Sequence, residues 1–320
     1  MENIQVKKMG SEIIIFLLLL CFLLIIFHPS NIYIAGRNGE VPSTREPKKS
    51  CNFYEGEWLY DESYPLYDSS DCPFIRKEFA CLKYGRPDHQ YLKYRWQPNG
   101  CNIPRFDGLD FLERLKGKKV MFVGDSISSN QWASMVCLLH NAVKGSNITS
   151  RTDKSTSTVT FHDYDVSIIV FNSHYLVDIE NEPIGRVLKL DSLKNGDVWK
   201  EIQVLVFNTW LWWYRRGDKQ PGADWHEPGV KSCSKETTPM QGSTCPSGLP
   251  LAAKVVQEIL ANNISSSKNA HLLDITTLSQ LRKDGHVSSY NAFKGMDCTH
   301  WCVAGVLDSW NHLLYARLAS

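Results

Sequence analysis

An apolar run near the N-terminus is the feature that most constrains how this chain of 320 residues can fold. Residues 13–27 (IIIFLLLLCFLLIIF) are apolar throughout, so they cannot lie on the surface of a soluble domain. Such a run is short for a bilayer core of about 30 Å, and its length also fits the apolar region of a secretory signal peptide. The run therefore predicts either a cleaved signal or an uncleaved membrane anchor.

The flanking residues orient this segment. Lys7 and Lys8 precede it, which places the rest of the chain in the lumen of the secretory pathway under either interpretation. The small residues Ala35 and Gly36 lie too far from the run for a good cleavage site, so we favour a type II anchor, and its short span suits the thinner early secretory membranes better than the plasma membrane. The predicted parts are a cytoplasmic tail, a signal-anchor transmembrane helix and a linker, over residues 1–12, 13–29 and 30–50.

Nine cysteines follow the apolar run, and an oxidising lumen favours disulfides. Because nine is odd, we expect four bridges and one remaining thiol. Cys298, His300 and Cys302 also resemble zinc ligands, but alternate residues rarely surround one tetrahedral ion and no CxxC pair is present, so we expect no metal. Asn147 and Asn263 begin Asn-x-Ser/Thr sequons, which predict N-glycosylation in the lumen.

Charge and composition exclude several classes of protein. Lys and Arg number 35 against 34 for Asp and Glu, so the chain is no polybasic nucleic-acid binder. With 43% hydrophobic and 22% charged residues, it is neither disordered nor a multi-span membrane protein. Residues 51–107 are rich in Cys, Tyr and Pro with little helical periodicity, which predicts a loop-rich segment stapled by disulfides.

Regular secondary structure is predicted over residues 108–320. Short apolar runs rich in β-branched residues alternate there with stretches of helical periodicity, such as 251–260 and 310–317. The predicted strands are residues 120–123, 166–171, 204–207 and 272–275. Alternating strands and helices indicate an α/β fold, a parallel sheet with helices on both faces.

Candidate catalytic groups follow two of these strands. Open parallel sheets place their sites at the carboxyl ends of strands, and Gly124, Asp125 and Ser126 end the first one. The Ser126 hydroxyl would face the crevice, and its N–H, at a helix N-terminus, would stabilise an oxyanion. Asn208 ends the third strand and its amide would support the same oxyanion. The ordinary alternatives are a capped βα turn and a turn asparagine.

A candidate base lies near the C-terminus. Asp297 and His300 are spaced i, i+3, so on a helical turn the carboxylate would hydrogen-bond the imidazole, fix its tautomer and support the cation. A solvated polar loop is the alternative. His286 and His140 compete as bases but lack a carboxylate at suitable spacing.

Aromatic residues are concentrated after Asn208. So many beside polar groups at a strand end indicate a saccharide-binding platform, although a role in the core is the alternative. The candidate substrate-binding residues are Trp210, Trp212, Trp213, Tyr214 and Arg215.

Together these motifs resemble the plant trichome birefringence-like family over about residues 51–318. The motifs are GDS at 124–126, NTW at 208–210, DCTHWC at 297–302, WLYD at 58–61, YPLY at 64–67, YRWQP at 94–98 and CNIPRF at 101–106. The resemblance implies an SGNH/GDSL-esterase-like (PC-esterase) fold. It also implies a Golgi type II membrane protein that O-acetylates cell-wall polysaccharide such as pectin, xylan or another hemicellulose.

The resemblance also implies site residues. Ser126, Asp297 and His300 would form a Ser-His-Asp triad that works through an acetyl-serine intermediate, with no bound cofactor and an acetyl donor, such as acetyl-CoA, as co-substrate. Eight cysteines fall in family positions and Cys245 would be the remaining thiol. The eight disulfide candidates are Cys51, Cys72, Cys81, Cys101, Cys137, Cys233, Cys298 and Cys302. The alternative functions are a non-catalytic polysaccharide-binding protein that maintains pectin esterification and a polysaccharide acetyl-esterase.

The chain departs from the family pattern in two places. Leu211 stands where the family often has a histidine, and residues 217–224 are short where the family has several dozen residues, including a helix and a strand. The sequence therefore shows four sheet strands where the family suggests five. A missing strand would leave backbone groups that a neighbour must pair. A truncated gene model or a splice form would account for this gap.

Overall fold

The structure, a computed structural model, describes part of the chain with gaps. The described residues are 4–6, 24–27, 51–208, 210–214, 232–234, 236–244, 248–250, 253–254, 257–258 and 270–319. Five features predicted above lie outside them, namely the linker, the short 217–224 region, Arg215, Cys245 and Asn263.

The strands and helices are numbered in chain order. The strands are β1 (Ile4–Val6), β2 (Leu24–Phe27), β3 (Gly56–Tyr60), β4 (Tyr94–Pro98), β5 (Lys119–Gly124), β6 (Ile148–Asp153), β7 (Thr156–Phe161), β8 (Val166–Asn172), β9 (Asp178–Glu182), β10 (Gly185–Lys189), β11 (Val204–Asn208), β12 (Ala270–Leu273), β13 (His286–Ser288) and β14 (Asp297–Trp301). The α-helices are α1 (Gly108–Arg114), α2 (Ser126–Ala142), α3 (Trp210–Tyr214), α4 (Thr276–Gln280) and α5 (Val306–Ala319).

A seven-stranded mixed sheet forms the centre of the protein, in the order β12-β2-β11-β5-β8-β7-β6. The strands β11, β5 and β8 are parallel, as their continuous apolar runs predicted. At one end β7 and β6 add an antiparallel hairpin, which the sequence analysis did not predict. The α/β class is therefore confirmed, with a mixed rather than a purely parallel sheet.

The two faces of the sheet are covered differently. On one face Val120 and Phe122 of β5 belong to the main core, which includes residues of α2 and α5. On the other face Met121 and Val123 pack in a smaller cluster with Ile202. That cluster is closed by a 3-10 helix ending at Trp199 rather than by an α-helix, as far as the structure describes the chain.

The position between β11 and β12 is occupied by β2. This strand comes from the end of the apolar run and pairs antiparallel with both neighbours, with Leu205 opposite Phe27 and Leu273 opposite Leu24. It supplies the backbone partners that the sheet would otherwise lack. Residues 24–27 are therefore a strand here, where the sequence predicted a transmembrane helix over 13–29, and no helix in the described residues is long and apolar enough to cross a membrane.

The helix α2 connects the parts of the fold. Asp125 caps its N-terminus, and almost the whole helix is buried between the sheet and α5. Polar groups at this interface are paired: Gln131 Nε2 donates to Asn311 Oδ1 over 3.1 Å, and Ser134 Oγ donates to Asp308 Oδ1 over 2.6 Å. The helix is therefore fixed along its length, including the turn that carries Ser126.

Four disulfides join the eight cysteines predicted to form bridges. The pairs are Cys51–Cys101, Cys72–Cys137, Cys81–Cys302 and Cys233–Cys298. Two of them attach the loop-rich segment to the remainder of the chain, one at α2 and one just after β14. That segment contains little regular structure beyond the antiparallel pair of β3 and β4, as predicted.

The longest cross-link should contribute most to stability. Cys81–Cys302 closes 221 residues and Cys51–Cys101 closes 50. Removing a native disulfide typically costs about 2–5 kcal/mol, and loop entropy makes the longer loop worth about 1.3 kcal/mol more. We expect Cys81→Ala/Cys302→Ala to lower the free energy of unfolding in urea more than Cys51→Ala/Cys101→Ala does. Equal losses would contradict this.

Candidate active site

Three strand ends meet in one row at the carboxyl edge of the sheet. Gly124 of β5 is in register with Asn172 of β8 on one side and Asn208 of β11 on the other. A Cβ atom on Gly124 would lie 1.7 Å from the Asn208 carbonyl oxygen. Only glycine therefore allows β11 to approach this closely, and the row lies where the sequence placed the crevice.

Ser126 is the first residue of α2, directly beyond this row. Asp125 caps the helix, because its Oδ1 accepts the Ile127 N–H over 2.8 Å. Burial raises the pKa of Asp125 to about 6, and only 1% of the residue is exposed. The turn is thus an ordinary capped βα turn as well as a place where a half-buried serine hydroxyl meets a helix N-terminus.

Asp297 and His300 are hydrogen-bonded as predicted, but they lie on a strand rather than a helical turn. Asp297 Oδ2 accepts the His300 Nδ1–H over 2.7 Å. In a regular strand residues three apart are about 10 Å apart. A β-bulge shortens that separation. His286 pairs with Trp301 and Ser288 pairs with Asp297, so a stretch of β13 two residues long is matched to a stretch of β14 four residues long.

The electrostatics of the pair suit a base. Burial acts to raise the pKa of Asp297, but hydrogen bonds from the His300 ring and from the Thr299 and His300 N–H groups outweigh it, so the pKa lies below its ordinary value. The carboxylate is thus ionised and holds the proton on Nδ1. The other nitrogen, His300 Nε2, is buried and hydrogen-bonds no residue that the structure describes. A hydrogen bond from Ser126 to this atom is accordingly not formed here.

Asn130 docks the first turns of α2 against β14. It lies one turn beyond Ser126 on α2, and its Nδ2 donates to the Trp301 carbonyl over 3.1 Å. Its Oδ1 accepts the Trp301 N–H over 2.9 Å. The first turns of α2 are therefore docked against the residue next to His300. The i, i+4 spacing of Ser126 and Asn130 was visible in the sequence, but nothing there indicated a partner.

The loop-rich segment also supports the base. The centroids of the Phe79 and His300 rings lie 5.3 Å apart. The backbone carbonyl of Phe79 accepts the Val303 N–H over 3.1 Å. Cys298 and Cys302, on either side of His300, are both in disulfides, which also accounts for the sulfurs considered as zinc ligands. Among the described residues no cluster of three or more metal-ligating side chains is found.

The two competing histidines lie elsewhere. His286 is buried and stacks on Trp301 with ring centroids 4.7 Å apart, and its Nδ1 donates to the His300 carbonyl over 3.0 Å. Burial lowers the pKa of His286 to about 4, so it is a neutral structural group. His140 packs edge-on against Phe74, 5.6 Å away, in the last turn of α2.

Asn208 is attached to the turn that carries Ser126. It is half-buried at the end of β11, and its carbonyl accepts the Ser128 hydroxyl over 2.9 Å and the Asp125 N–H over 3.3 Å. These contacts attach the end of β11 to the turn that carries Ser126. The amide of Asn208 is thus held at the same edge as the serine.

The aromatic residues after Asn208 form the short helix α3, which holds Trp210, Trp212, Trp213 and Tyr214. Trp213 lies 5.4 Å from Tyr175 and packs on the cluster around Val177, so it partly belongs to a core. Trp212 lies 4.5 Å from His174. The side chains of Trp210 and Tyr214 lie outside the described part. His174 and Tyr175 follow β8 without any recognisable motif, so sequence reasoning missed them.

Comparison with known proteins agrees with this geometry. The family model described as "PC-Esterase: GDSL/SGNH-like Acyl-Esterase family found in Pmr5 and Cas1p" matches residues 103–223 and 217–317. A second family model, "PMR5 N terminal Domain", matches residues 49–102. Protein trichome birefringence-like 38 of Arabidopsis thaliana is 42% identical, with 90% of this chain and 89% of that protein covered. The chain belongs to the trichome birefringence-like family. Protein trichome birefringence-like 43 of the same plant is 45% identical over 85% of this chain and 89% of its own.

The comparison with the trichome birefringence-like family bears on the short region. The alignment with the first relative spans 343 positions, more than the whole chain has, so that relative carries residues that this chain lacks. The two acyl-esterase matches meet at residues 217–223, which is where the sequence analysis located the missing unit. The acyl-esterase match supports acyl-ester chemistry at the carboxyl edge of the sheet.

The contact between Gly124 and Asn208 gives a stability prediction. In Gly124→Ala the new methyl group would meet backbone at 1.7 Å, so the end of β11 must move. We expect the free energy of unfolding to fall by about 1–3 kcal/mol. Gly295→Ala is the control, because a Cβ there has no neighbour within 4 Å. Chemical denaturation that ranks the two variants equally would disprove the contact.

The buried histidine gives a pH prediction. With its folded pKa near 4 and an unfolded value near 6.5, His286 stays neutral in the fold while the unfolded chain takes up a proton. Stability from this group is present above pH 6.5 and lost as the pH falls toward 4. Between pH 7 and 5 the loss is about 2 kcal/mol. We expect His286→Asn to show a correspondingly smaller pH dependence in urea titrations, and an unchanged dependence would contradict it.

Proposed function

We propose that this protein is an O-acetyltransferase that acetylates plant cell-wall polysaccharide through an acetyl-serine. One observation carries the proposal. The Asp297 carboxylate hydrogen-bonds the His300 imidazole, on a strand that is docked to the first turns of α2. The other ring nitrogen, His300 Nε2, is buried and makes no hydrogen bond within the described residues. The helix begins with Ser126 at its N-terminus. These are the parts needed for a nucleophile, a base and its orienting carboxylate.

The reaction would proceed in two transfers. His300 Nε2 takes the Ser126 hydroxyl proton as Oγ bonds to the acetyl carbon, and the donor's leaving group departs with that proton. The Ser126 N–H and the Asn208 amide stabilise the tetrahedral oxyanion. A sugar hydroxyl then gives its proton to His300 and attacks the acetyl carbon, and Ser126 Oγ leaves and regains a proton. The donor would be an acetyl thioester or ester, with acetyl-CoA as the expected example.

The surroundings of such a protein are also proposed. Four disulfides support a luminal domain of the secretory pathway, and we assign that domain to the Golgi lumen. Asn147 is exposed, so its sequon is accessible to glycosylation.

Two other functions share this architecture. The aromatic surface formed by Trp212, Trp213 and Tyr175 favours a protein that only binds polysaccharide, such as one that maintains pectin esterification. An acetyl-esterase would use the same serine but deliver the acetyl group to water.

The full chain should transfer acetyl groups from p-nitrophenyl acetate or acetyl-CoA to xylan or pectin oligosaccharides. Ser126→Ala should abolish both transfer and the acetyl-enzyme, because the nucleophile is gone. Asn208→Ala should reduce the rate by about 100–1,000-fold through loss of an oxyanion donor. Mass spectrometry of the protein and of the sugars measures both products.

Three outcomes separate the candidates. Acetylated sugar that disappears in Ser126→Ala supports the transferase. Acetate released from acetylated polymer, without any transfer, indicates the esterase. Polysaccharide binding that is unchanged in Ser126→Ala, with no turnover in the wild type, would make the protein a binding module. Ser150→Ala, an exposed position on β6, serves as the matched control.

A further inference from the structure

The strands on either side of β5 send residues toward each other beyond its end. Both β8 and β11 pair with β5, so two strand spacings, about 9.6 Å, separate them. His174 lies two residues beyond the end of β8, and Trp212 lies in the helix that follows β11. Nevertheless their ring centroids are only 4.5 Å apart, with an interplanar angle of 82°.

This contact joins the segments that follow the two neighbours of β5. Because the rings follow strands on opposite sides of β5, we infer that they meet beyond the carboxyl edge of the sheet, the edge at which Ser126 begins α2. Ser173, the neighbour of His174, is attached to the end of β5, since its N–H donates to the Gly124 carbonyl over 2.7 Å. The Tyr175 ring lies next to the pair, 6.3 Å from Trp212. We call the His174–Trp212 contact the aromatic bridge.

We propose that the aromatic bridge binds the acyl-acceptor sugar and keeps water from the acetyl-serine, so that it determines the ratio of transfer to hydrolysis. The inference rests on the function proposed above. It adds His174, which no motif indicated, and gives Trp212 a second role beyond that of a stacking surface.

The chemistry of the two rings suits a sugar. An indole face packs against sugar C–H groups, while an imidazole bonds a hydroxyl. His174 is exposed, and partial burial together with the Arg186 charge lowers its pKa, so the ring is neutral near pH 7 and carries one N–H donor and one nitrogen acceptor. A hydroxyl needs one of each.

Transfer and hydrolysis differ only in which O–H group reaches the acetyl carbon. In both cases the attacking oxygen bonds to that carbon, the bond to Ser126 Oγ breaks, and the proton passes through His300 Nε2 to Oγ. A sugar gives an acetylated sugar and water gives acetate. A group that holds the sugar at this position and displaces water therefore changes the ratio without changing the steps.

The test compares acetate with acetylated sugar. The full chain is acylated with p-nitrophenyl acetate in the presence of xylo-oligosaccharide or oligogalacturonate. Formation of the acetyl-enzyme releases p-nitrophenol as a burst, and the ratio of acetate to acetylated sugar is measured per acetyl-enzyme formed. We expect His174→Ala and Trp212→Ala to shift the ratio toward acetate by about tenfold and to raise the acceptor KM similarly, the effect of roughly one lost hydrogen bond or ring contact. His174→Gln should restore part of the transfer, since its amide also donates and accepts.

A matched control exists at the far end of α2. His140 and Phe74 form another edge-on pair, 5.6 Å apart at 76°, so His140→Ala should leave the ratio unchanged. If the His174→Ala and Trp212→Ala chains still form the acetyl-enzyme but keep the wild-type ratio of acetate to acetylated sugar, the proposed role of the aromatic bridge is wrong and the proposed transferase stands. A wild-type chain that gives no p-nitrophenol burst overturns the proposed transferase and the bridge with it. If Trp212→Ala fails to fold, the two His174 variants decide.

Discussion

The site depends on how β14 is held, because that strand lies outside the main sheet. Its only strand partner in the described residues is β13, which forms with it a two-stranded sheet containing a bulge. The position of His300 is therefore set by contacts from other parts of the chain: a disulfide at each end of the strand, the Phe79 ring and the side chain of Asn130. Ser126 directly follows a strand of the main sheet, whereas His300 is brought to the edge of that sheet from outside.

This arrangement gives the loop-rich segment a function beyond stapling. The segment is joined to α2 by Cys72–Cys137 and to the residue after β14 by Cys81–Cys302. Arg86, almost fully buried, donates to the Asp284 and His286 carbonyls over 2.6 and 3.0 Å, and so holds the start of β13. The candidate site therefore draws on both matched family regions, with Ser126 in the acyl-esterase region and part of the support for His300 in the N-terminal region.

The sequence predicted what local patterns determine. Apolar runs identified the strands that carry Gly124 and Asn208, and the family motifs identified the paired cysteines. It failed where structure arises between distant segments. The i, i+3 spacing of Asp297 and His300 is typical of a helix, and only pairing with β13 produces the bulge that replaces it. The meeting of His174 with Trp212 depends on the order of strands, which no single stretch of chain contains.

The sequence separation of 221 between Cys81 and Cys302 has a consequence for biosynthesis. In the luminal setting proposed above, a chain is translocated from its N-terminus, so Cys81 would enter the oxidising compartment long before its partner. Cys51, Cys72 and Cys101 would enter with it, and any bond between the wrong pair would later have to be exchanged. The contacts that hold His300 would thus be completed only after nearly the whole chain has arrived, and a truncated chain would lack them.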